Sequence, residues 1–252
     1  MGENVGMGGP SGATTPEAIL AWKRAAARAA VEEASDGALI GLGTGSTALV
    51  MLEALAERTR HGLRVTGVPT SERTRHAAIA LGIPVITLDD VDELTLSVDG
   101  ADEVTLPHLD LIKGRGGASL YEKLVATASR RRLIIVDQTK LVGTLGGAAH
   151  VPIEVIPFGW RQTSARIARL GGQPALRMMM SATGDSTASP TPYVTDGGHY
   201  MLDCHFGPIA HPANLAQLIK ATTGVVDHGL FVGMTERVYV GGPDGVRAYD
   251  RA

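Results

Sequence analysis

The sequence is poor in aromatic residues and in long apolar runs, and its charge is nearly balanced. Phe, Trp and Tyr make up 4% of the 252 residues, which argues against the stacking platforms that bind single-stranded nucleic acid. A formal net charge of -3 offers no broad basic surface to DNA or RNA. No apolar run approaches the roughly 18 residues that a membrane helix needs. Nucleic acids and membranes are therefore not expected as partners.

Cysteine is almost absent as well. Cys204 is the single cysteine, which excludes an internal disulfide and a cysteine-based zinc site. Residues 1–13 are rich in Gly, Ser and Pro and lack the basic start and apolar core of a signal peptide, so they are predicted to be a flexible tail. These features fit a protein of the reducing cytoplasm.

Glycine, by contrast, is abundant, with 32 residues, and 44% of the chain is hydrophobic. Up to about Gly146, short apolar strands alternate with helical segments, which is typical of an α/β fold whose parallel sheet is covered on both faces. The predicted strands are 38–42, 64–68, 84–88, 94–98 and 133–136. The predicted helices are 16–35, 46–59, 71–81 and 119–129.

The pattern changes in the second part of the chain, where strand, helix, strand, strand and helix suggest a small α+β unit. The predicted strands are 151–155, 174–180 and 201–206, with helices 158–170 and 212–221. Residues 181–192 form a polar Ser/Thr/Gly/Pro segment that is expected to be an exposed hairpin tip. A last strand, 237–241, is expected to return to the first sheet.

The segment GLGTGSTA, residues 41–48, runs from a strand through glycines into a helix start. Its backbone N–H groups, the positive helix end and the hydroxyls of Thr44, Ser46 and Thr47 suit an anion. No Lys follows the last glycine, and Ser46 stands where a dinucleotide fingerprint has its third glycine. The pattern favours a phosphate monoester over a dinucleotide, with a tight turn capped by Ser as the structural alternative.

Three further segments carry charged groups. SVDGADEV, residues 97–104, presents Asp99, Asp102 and Glu103 after a strand, where carboxylates bind sugar hydroxyls or a metal, or move protons, although D-G-x-D is also a common turn. KGRGGASLYEK, residues 113–123, combines Lys113, a glycine loop and Glu122. A buried glutamate beside an ammonium is how a base is poised near neutral pH, whereas a surface Glu–Lys pair is the plain alternative.

VDQTK adds Lys140 at another strand end, where a lysine is most often simply solvated. Each segment alone is weak evidence. Together, three strand-end loops bring phosphate donors, carboxylates and lysines to one edge of one predicted sheet, which is where ligands bind in open α/β sheets.

Eight collinear motifs resemble the A-type ribose-5-phosphate isomerase family over residues 16–246. They are GLGTGSTA, PTSERT, SVDGADEV, KGRGGASLYEK, VDQTKLVGTLG, PIEVIPF, TDGGHYMLD and GVVDHGLFVGM. The resemblance implies cofactor-free interconversion of D-ribose 5-phosphate and D-ribulose 5-phosphate in the non-oxidative pentose phosphate pathway.

The same resemblance implies a Rossmann-like parallel-sheet domain, residues 14–146 and 229–252. It further implies a smaller ferredoxin-like α+β domain, residues 147–228, and a homodimer or dimer of dimers.

Carried over by position, the resemblance implies that Glu122 is the general base. For the other catalytic positions, the chemistry suggests that Asp99 opens the sugar ring, Lys113 stabilises an enediolate and Asp102 orients hydroxyls or shuttles a proton. The expected substrate-binding residues are Lys23, Thr44, Gly45, Ser46, Thr47, Gly100, Ala101, Gly114, Arg115, Gly116 and Lys140. No metal is expected, because the histidines are scattered and lack helical i, i+4 pairing.

Two departures from the family pattern stand out. Arg115 replaces a usual glycine, so it could crowd the loop or add a cation, and Tyr121 precedes Glu122 where Arg or Thr is more usual.

Two alternative functions remain open. A sugar-phosphate sensor would need a DNA-binding segment, for which the 13-residue tail is too short. Enzymes of related fold that transfer coenzyme A or deaminate amino-sugar phosphates would use a different glutamate motif or a longer substrate.

Overall fold

The structure is a computed structural model that describes residues 14–179 and 189–252. The predicted tail, 1–13, and most of the predicted hairpin tip, 181–192, lie outside the described residues. The α-helices of the described part are α1 (Pro16–Val31), α2 (Ser46–Arg60), α3 (Glu72–Ala80), α4 (Ser119–Thr127), α5 (Trp160–Ala168) and α6 (Pro212–Lys220). The strands are β1 (Ala38–Leu42), β2 (Val65–Pro69), β3 (Leu94–Asp99), β4 (Glu103–Thr105), β5 (Leu111–Ile112), β6 (Ser129–Asp137), β7 (Leu141–Val142), β8 (Val151–Val155), β9 (Gln173–Leu176), β10 (Met178–Met179), β11 (Thr191–Pro192), β12 (Tyr200–His205), β13 (Val225–His228), β14 (Leu230–Phe231), β15 (Arg237–Gly242) and β16 (Gly245–Asp250).

The largest sheet has six strands in the order β16-β15-β6-β3-β1-β2. Five of these strands pair in parallel, and only the edge strand β16 is antiparallel. In β6, Leu133 and Ile135 pack with α1 and α2 in one core, whereas Ile134 and Val136 pack on the opposite face. Burial on both faces explains the continuous apolar run and confirms the predicted α/β class.

A second sheet, β13-β8-β12-β9, is antiparallel throughout. Helix α5 connects β8 to β9 and α6 connects β12 to β13, which is the β-α-β-β-α-β order of ferredoxin-like units. Its core contains Ile153, Ile167 and Leu202, and also Ile112 and Leu145 from outside the unit. The predicted domain limits at 146/147 and 228/229 stay a prediction.

A third sheet was not predicted from the sequence. Its short strands are ordered β14-β5-β4-β7. Strands of two or three residues are too short to show a periodicity, which explains why this sheet escaped detection. It is important for the site because Lys113 follows β5 directly.

Two predicted strands were wrong in extent. Residues 84–88 make one bridge, Val85 to Gly67, because Thr87 caps a turn through Asp90 and ends the extended segment. Residues 174–180 do not form one strand, since β9 ends before Arg177 and β10 pairs with β11 instead. The predicted return of 237–241 to the first sheet is confirmed, because β15 pairs in parallel with β6.

Candidate active site

The predicted loops meet at one edge of the large sheet. The loop 43–45 follows β1, Gly100 follows β3, and the segment that contains Lys140 follows β6. These strands are neighbours in the order β6-β3-β1, so their carboxyl ends lie side by side. The prediction that three strand-end loops share one sheet edge is confirmed, although Lys113 reaches this edge from the third sheet.

Asp99 is fixed by backbone donors on both adjacent loops. Its Oδ1 accepts hydrogen bonds from Thr44 N at 3.2 Å and from Gly100 N at 2.7 Å. A Cβ at Gly43 would lie 2.0 Å from the same oxygen, so this position requires glycine. The carboxylate therefore has one orientation, with Oδ2 directed to Lys113.

Lys113 is a buried ammonium between two carboxylates. Its Nζ lies 2.8 Å from Asp99 Oδ2 and 3.2 Å from Glu122 Oε2, and it donates to Gly100 O at 2.6 Å. Burial alone would lower the pKa of Lys113, but the charges of Asp99 and Glu122 outweigh it and raise the pKa above its usual value. Lys113 is therefore a fixed cation.

Glu122 lies in the first turn of α4 and is 4% exposed. Its Oε2 lies 3.2 Å from Lys113 Nζ, and no other donor in the described ranges satisfies this oxygen. Burial raises the pKa of Glu122, against the lowering effect of Lys113 and with the help of the Asp99 charge. Desolvation of the buried carboxylate is therefore the main cause of its shifted pKa.

The three carboxylates of SVDGADEV have separate surroundings. Glu103 accepts hydrogen bonds from the backbone of Gly146, Ala148 and Ala149 at 2.6 to 2.9 Å, so it holds a loop. Asp102 is half-buried and its Oδ2 accepts from Arg115 N at 3.1 Å. Asp102 therefore lies beside the glycine loop, and Asp99 lies beneath it.

A cavity of about 340 Å³ brings the predicted residues together. Every predicted site residue except Asp99 lines it, and one residue that was not predicted, Arg73, is added. The lining residues are Lys23, Thr44, Gly45, Ser46, Thr47, Arg73, Gly100, Ala101, Asp102, Lys113, Gly114, Arg115, Gly116, Glu122 and Lys140. The cavity volume is in the range of small-molecule binding sites.

Arg73 belongs to the PTSERT motif, which packs against the glycine loop. Thr44 Oγ1 is 2.7 Å from Thr70 Oγ1 and 2.9 Å from Ser71 Oγ, and Ser71 caps α3. The Thr44 hydroxyl is thus engaged by other hydroxyls of the protein. Its position two residues after this cap, at the start of α3, is the sequence feature that could have identified Arg73 as a site residue.

At the other end of the cavity the contacts are longer. Lys23 Nζ lies 3.4 Å from Ser46 Oγ and 3.9 Å from Asp137 Oδ2. Gly45, with φ +100°, starts α2 without a side-chain cap, so the first N–H groups of this helix are open to an anion. This end is suited to a phosphate.

Comparisons with known proteins match this arrangement. A sequence model of the family ribose 5-phosphate isomerase A (phosphoriboisomerase A) matches residues 66–245. The chain is 50% identical over 225 residues to ribose-5-phosphate isomerase A of Synechococcus sp. (strain JA-3-3Ab), covering 89% of this chain and 94% of that protein. The chain belongs to the ribose 5-phosphate isomerase A family.

Further relatives extend the match. Identity to ribose-5-phosphate isomerase A of Gloeobacter violaceus is 52% over 224 residues, with 89% of this chain and 94% of that protein covered. The solved ribose 5-phosphate isomerase A of Methanocaldococcus jannaschii has a TM-score of 0.84 at 36% identity, covering 92% of this chain and 99% of that chain. A D-ribose-5-phosphate isomerase in complex with phospho-erythronic acid has a TM-score of 0.87 at 35% identity, with the same coverage. The family resemblance and the fold class predicted from the sequence are confirmed.

The Arg115 departure from the family pattern causes no backbone strain. Gly114 and Gly117 have φ of +105° and +85°, whereas Arg115 is not among the residues with positive φ. Its side chain is exposed and its N–H donates to Asp102. The loop therefore accommodates an arginine at this position without strain.

Within residues 14–179 and 189–252, no group of three or more His, Cys, Asp or Glu side chains is arranged to hold a metal ion. Over the same residues, no helix is both long and apolar enough to cross a membrane.

Proposed function

We propose that the protein is an aldose–ketose isomerase that interconverts D-ribose 5-phosphate and D-ribulose 5-phosphate. The observation that carries this proposal is the buried Glu122–Lys113–Asp99 cluster at one end of a cavity whose other end holds Lys23, Ser46 and an open helix terminus. The substrate class follows from family membership.

Glu122 is proposed as the single base. Its carboxylate takes the proton from C2 of the open-chain aldose, and the C–H electron pair forms the C1=C2 bond of a cis-enediolate. The same carboxyl then returns the proton to C1, which leaves a ketone at C2. The raised pKa of Glu122 makes it a stronger base than a solvated glutamate.

Lys113 is proposed to stabilise the negative charge on O1 and O2. Because Asp99 and Gly100 O hold its ammonium group, no reorganisation is needed when that charge develops. A preorganised donor of this kind is typically worth about 3 kcal/mol in the transition state.

The two aspartates are proposed to have different roles. Asp102, which lines the cavity, would contact the substrate hydroxyls and shuttle the proton between O1 and O2. Ring opening by Asp99 stays a prediction, since Asp99 lies just outside the lining and acts on Lys113.

The phosphate is proposed to bind at the start of α2, to Ser46, Thr47 and the first N–H groups, with Lys23 and Lys140 nearby. Arg73 adds a further cation. Binding energy from the phosphate then positions carbons that do not touch it. The ligand of the solved relative supports this pairing, because phospho-erythronic acid carries a phosphate and, at its other end, a planar carboxylate that resembles an enediolate.

An assay with ribose 5-phosphate in D2O and EDTA tests the proposal. Any deuterium that enters C1 of ribulose 5-phosphate, by exchange of the Glu122 proton with solvent before its return, should have a single configuration, because one base works on one face. EDTA should leave the rate unchanged. Absence of turnover, or activity that EDTA abolishes and a divalent metal restores, would contradict the proposal or its cofactor-free form.

A homodimer or a dimer of dimers is proposed as the assembly. Leu124 on α4, and Ile156 and Phe158 after β8, are exposed apolar residues, and Phe158 is 94% exposed. Helix α4 packs on β8, so these side chains lie on adjoining elements. A mass measurement in solution tests the assembly.

A cytoplasmic location is also proposed, on the basis of the lone, buried thiol of Cys204.

A further inference from the structure

Arg177 lies outside the predicted site, yet it contacts the loop that joins Lys113 to α4. Its Nη1 donates to Arg115 O at 3.1 Å and to Gly114 O at 3.4 Å, across more than 60 residues of sequence. Its Nε donates to Asp203 Oδ2 at 2.9 Å, and Nη2 donates to Asp203 Oδ1. The guanidinium therefore bridges a carboxylate of the antiparallel sheet and the glycine loop.

One peptide group of this loop is held from both sides. Gly114 O accepts from Arg177, and the N–H of the same peptide, that of Arg115, donates to Asp102 Oδ2 at 3.1 Å. Since a peptide group is planar, its two hydrogen bonds fix one orientation. Arg177 thereby also orients Asp102, which lines the cavity.

Tyr193 completes this support. The Arg177 guanidinium lies 5.6 Å from the ring centroid of Tyr193. A Cβ at Gly117 would lie 2.0 Å from the Tyr193 hydroxyl oxygen, so the loop backbone is in close contact with this side chain. Because Gly114 and Gly117 have no Cβ, the loop would otherwise have many alternative backbone conformations.

We propose that Arg177, held by Asp203, is a positioning residue for the isomerisation: it fixes loop 114–117 and so the distance between Lys113, Asp102 and Glu122. The proposal rests on the proposed function for its kinetic readout. It assigns a catalytic consequence to a residue that touches neither the reacting atoms nor the phosphate end.

The test uses Arg177→Met, which keeps most of the side-chain length and removes the guanidinium. A displacement of about 1 Å can cost roughly 100-fold in rate, so we expect kcat to fall 10- to 100-fold while KM changes less than about threefold. Arg177→Lys should recover part of the loss. Arg177 lines a second cavity of about 430 Å³, so low-millimolar guanidinium should enter and partly restore kcat of Arg177→Ala.

Arg64→Met is the matched control, since Arg64 also makes a bidentate pair, with Asp36, but before β1 and β2 at the opposite end of these strands. It should change kcat less than twofold. Wild-type kcat in folded Arg177→Met, or a loss that follows only the fraction unfolded and is not rescued, would overturn the proposal.

Amide hydrogen exchange separates this failure from failure of the proposed function. Gly117 N donates to Gly114 O at 2.9 Å, and Arg177→Met should speed exchange of that amide several-fold. An inactive wild type would refute the proposed function alone. Unchanged exchange at Gly117 would overturn the role of Arg177 whether or not the wild type is active.

Discussion

At the Glu122 end of the cavity the charged groups are buried and touch one another, whereas at the Lys23 end they are partly exposed and further apart. Lys113 Nζ has two carboxylates and a carbonyl within 3.2 Å. Lys23 Nζ has its two partners at 3.4 and 3.9 Å. The protein itself supplies close partners for the ammonium group of Lys113, whereas the ammonium group of Lys23 is left open to a ligand anion.

The difference follows from what each end does. Charges that act on a transition state are most effective when they are held in place and kept from water, because reorganisation then costs nothing during the reaction. A phosphate that arrives from water and leaves again is better bound by groups that remain solvated until it arrives. Substitutions at the two ends should therefore have different kinetic signatures.

The largest expected effect is at the buried end. Glu122→Gln keeps the size of the side chain and removes the base, so kcat should fall by about 10²- to 10⁴-fold. Phosphate binding, measured by calorimetry with ribose 5-phosphate, should remain within a few-fold of wild type. Glu57→Gln, on the exposed side of α2, is the matched control and should leave kcat unchanged. Turnover near that of the wild type in Glu122→Gln would remove Glu122 from the mechanism.

The second prediction concerns pH and the charge of Asp99. A base must be deprotonated, so kcat should rise with pH through the pKa of Glu122, and burial places this acid limb above that of a solvated glutamate. The charge of Asp99 also raises the Glu122 pKa. Asp99→Asn should therefore shift the limb to lower pH.

Profiles of kcat, each normalised to its own maximum, measure this shift. The titration of the substrate phosphate is common to both proteins and cancels in the comparison. Asp36→Asn, at the opposite end of the strands, serves as the control. A limb at the same pH in wild type and Asp99→Asn would show that Asp99 does not act electrostatically on the base.

Local patterns were sufficient for much of this architecture. β1 and β8 lie at the predicted residues, because short apolar runs between turn residues have few alternatives. The glycines of the first loop were identifiable as sites of close approach, and Gly43 against Asp99 is the clearest case. The neighbouring order of β6, β3 and β1 then placed the predicted loops together.

The contacts that decide the chemistry were less accessible. Lys113 comes from a sheet whose strands are too short to recognise, and its pairing with Asp99 joins different sheets. Arg73 is an exposed arginine on a polar helix, which is ordinary in any sequence. Arg177 stood within a predicted strand, and only the tertiary fold shows that it reaches Gly114. Long-range placement, and not residue type, was the missing information.

The smallest expected effects are at the open end. Ser46→Ala removes one donor to the phosphate and should raise KM by up to about tenfold with kcat changed less than twofold, in line with the net worth of about 0.5 to 1.5 kcal/mol for a typical single hydrogen bond. Arg73→Met should raise KM about two- to fivefold, because an exposed cation is screened by water and salt. The KM of the wild type should also rise with ionic strength more than that of Arg73→Met does.

Arg75 offers the matched comparison, because it lies on the same helix α3 but does not line the cavity. If Arg73 acts on the phosphate through its position, Arg75→Met should leave KM and its salt dependence unchanged. Equal increases of KM in the two variants would mean that α3 contributes only a general positive charge. A fall in kcat in Ser46→Ala as large as the rise in KM would show that the open end also acts on the transition state, and the contrast between the two ends would then fail.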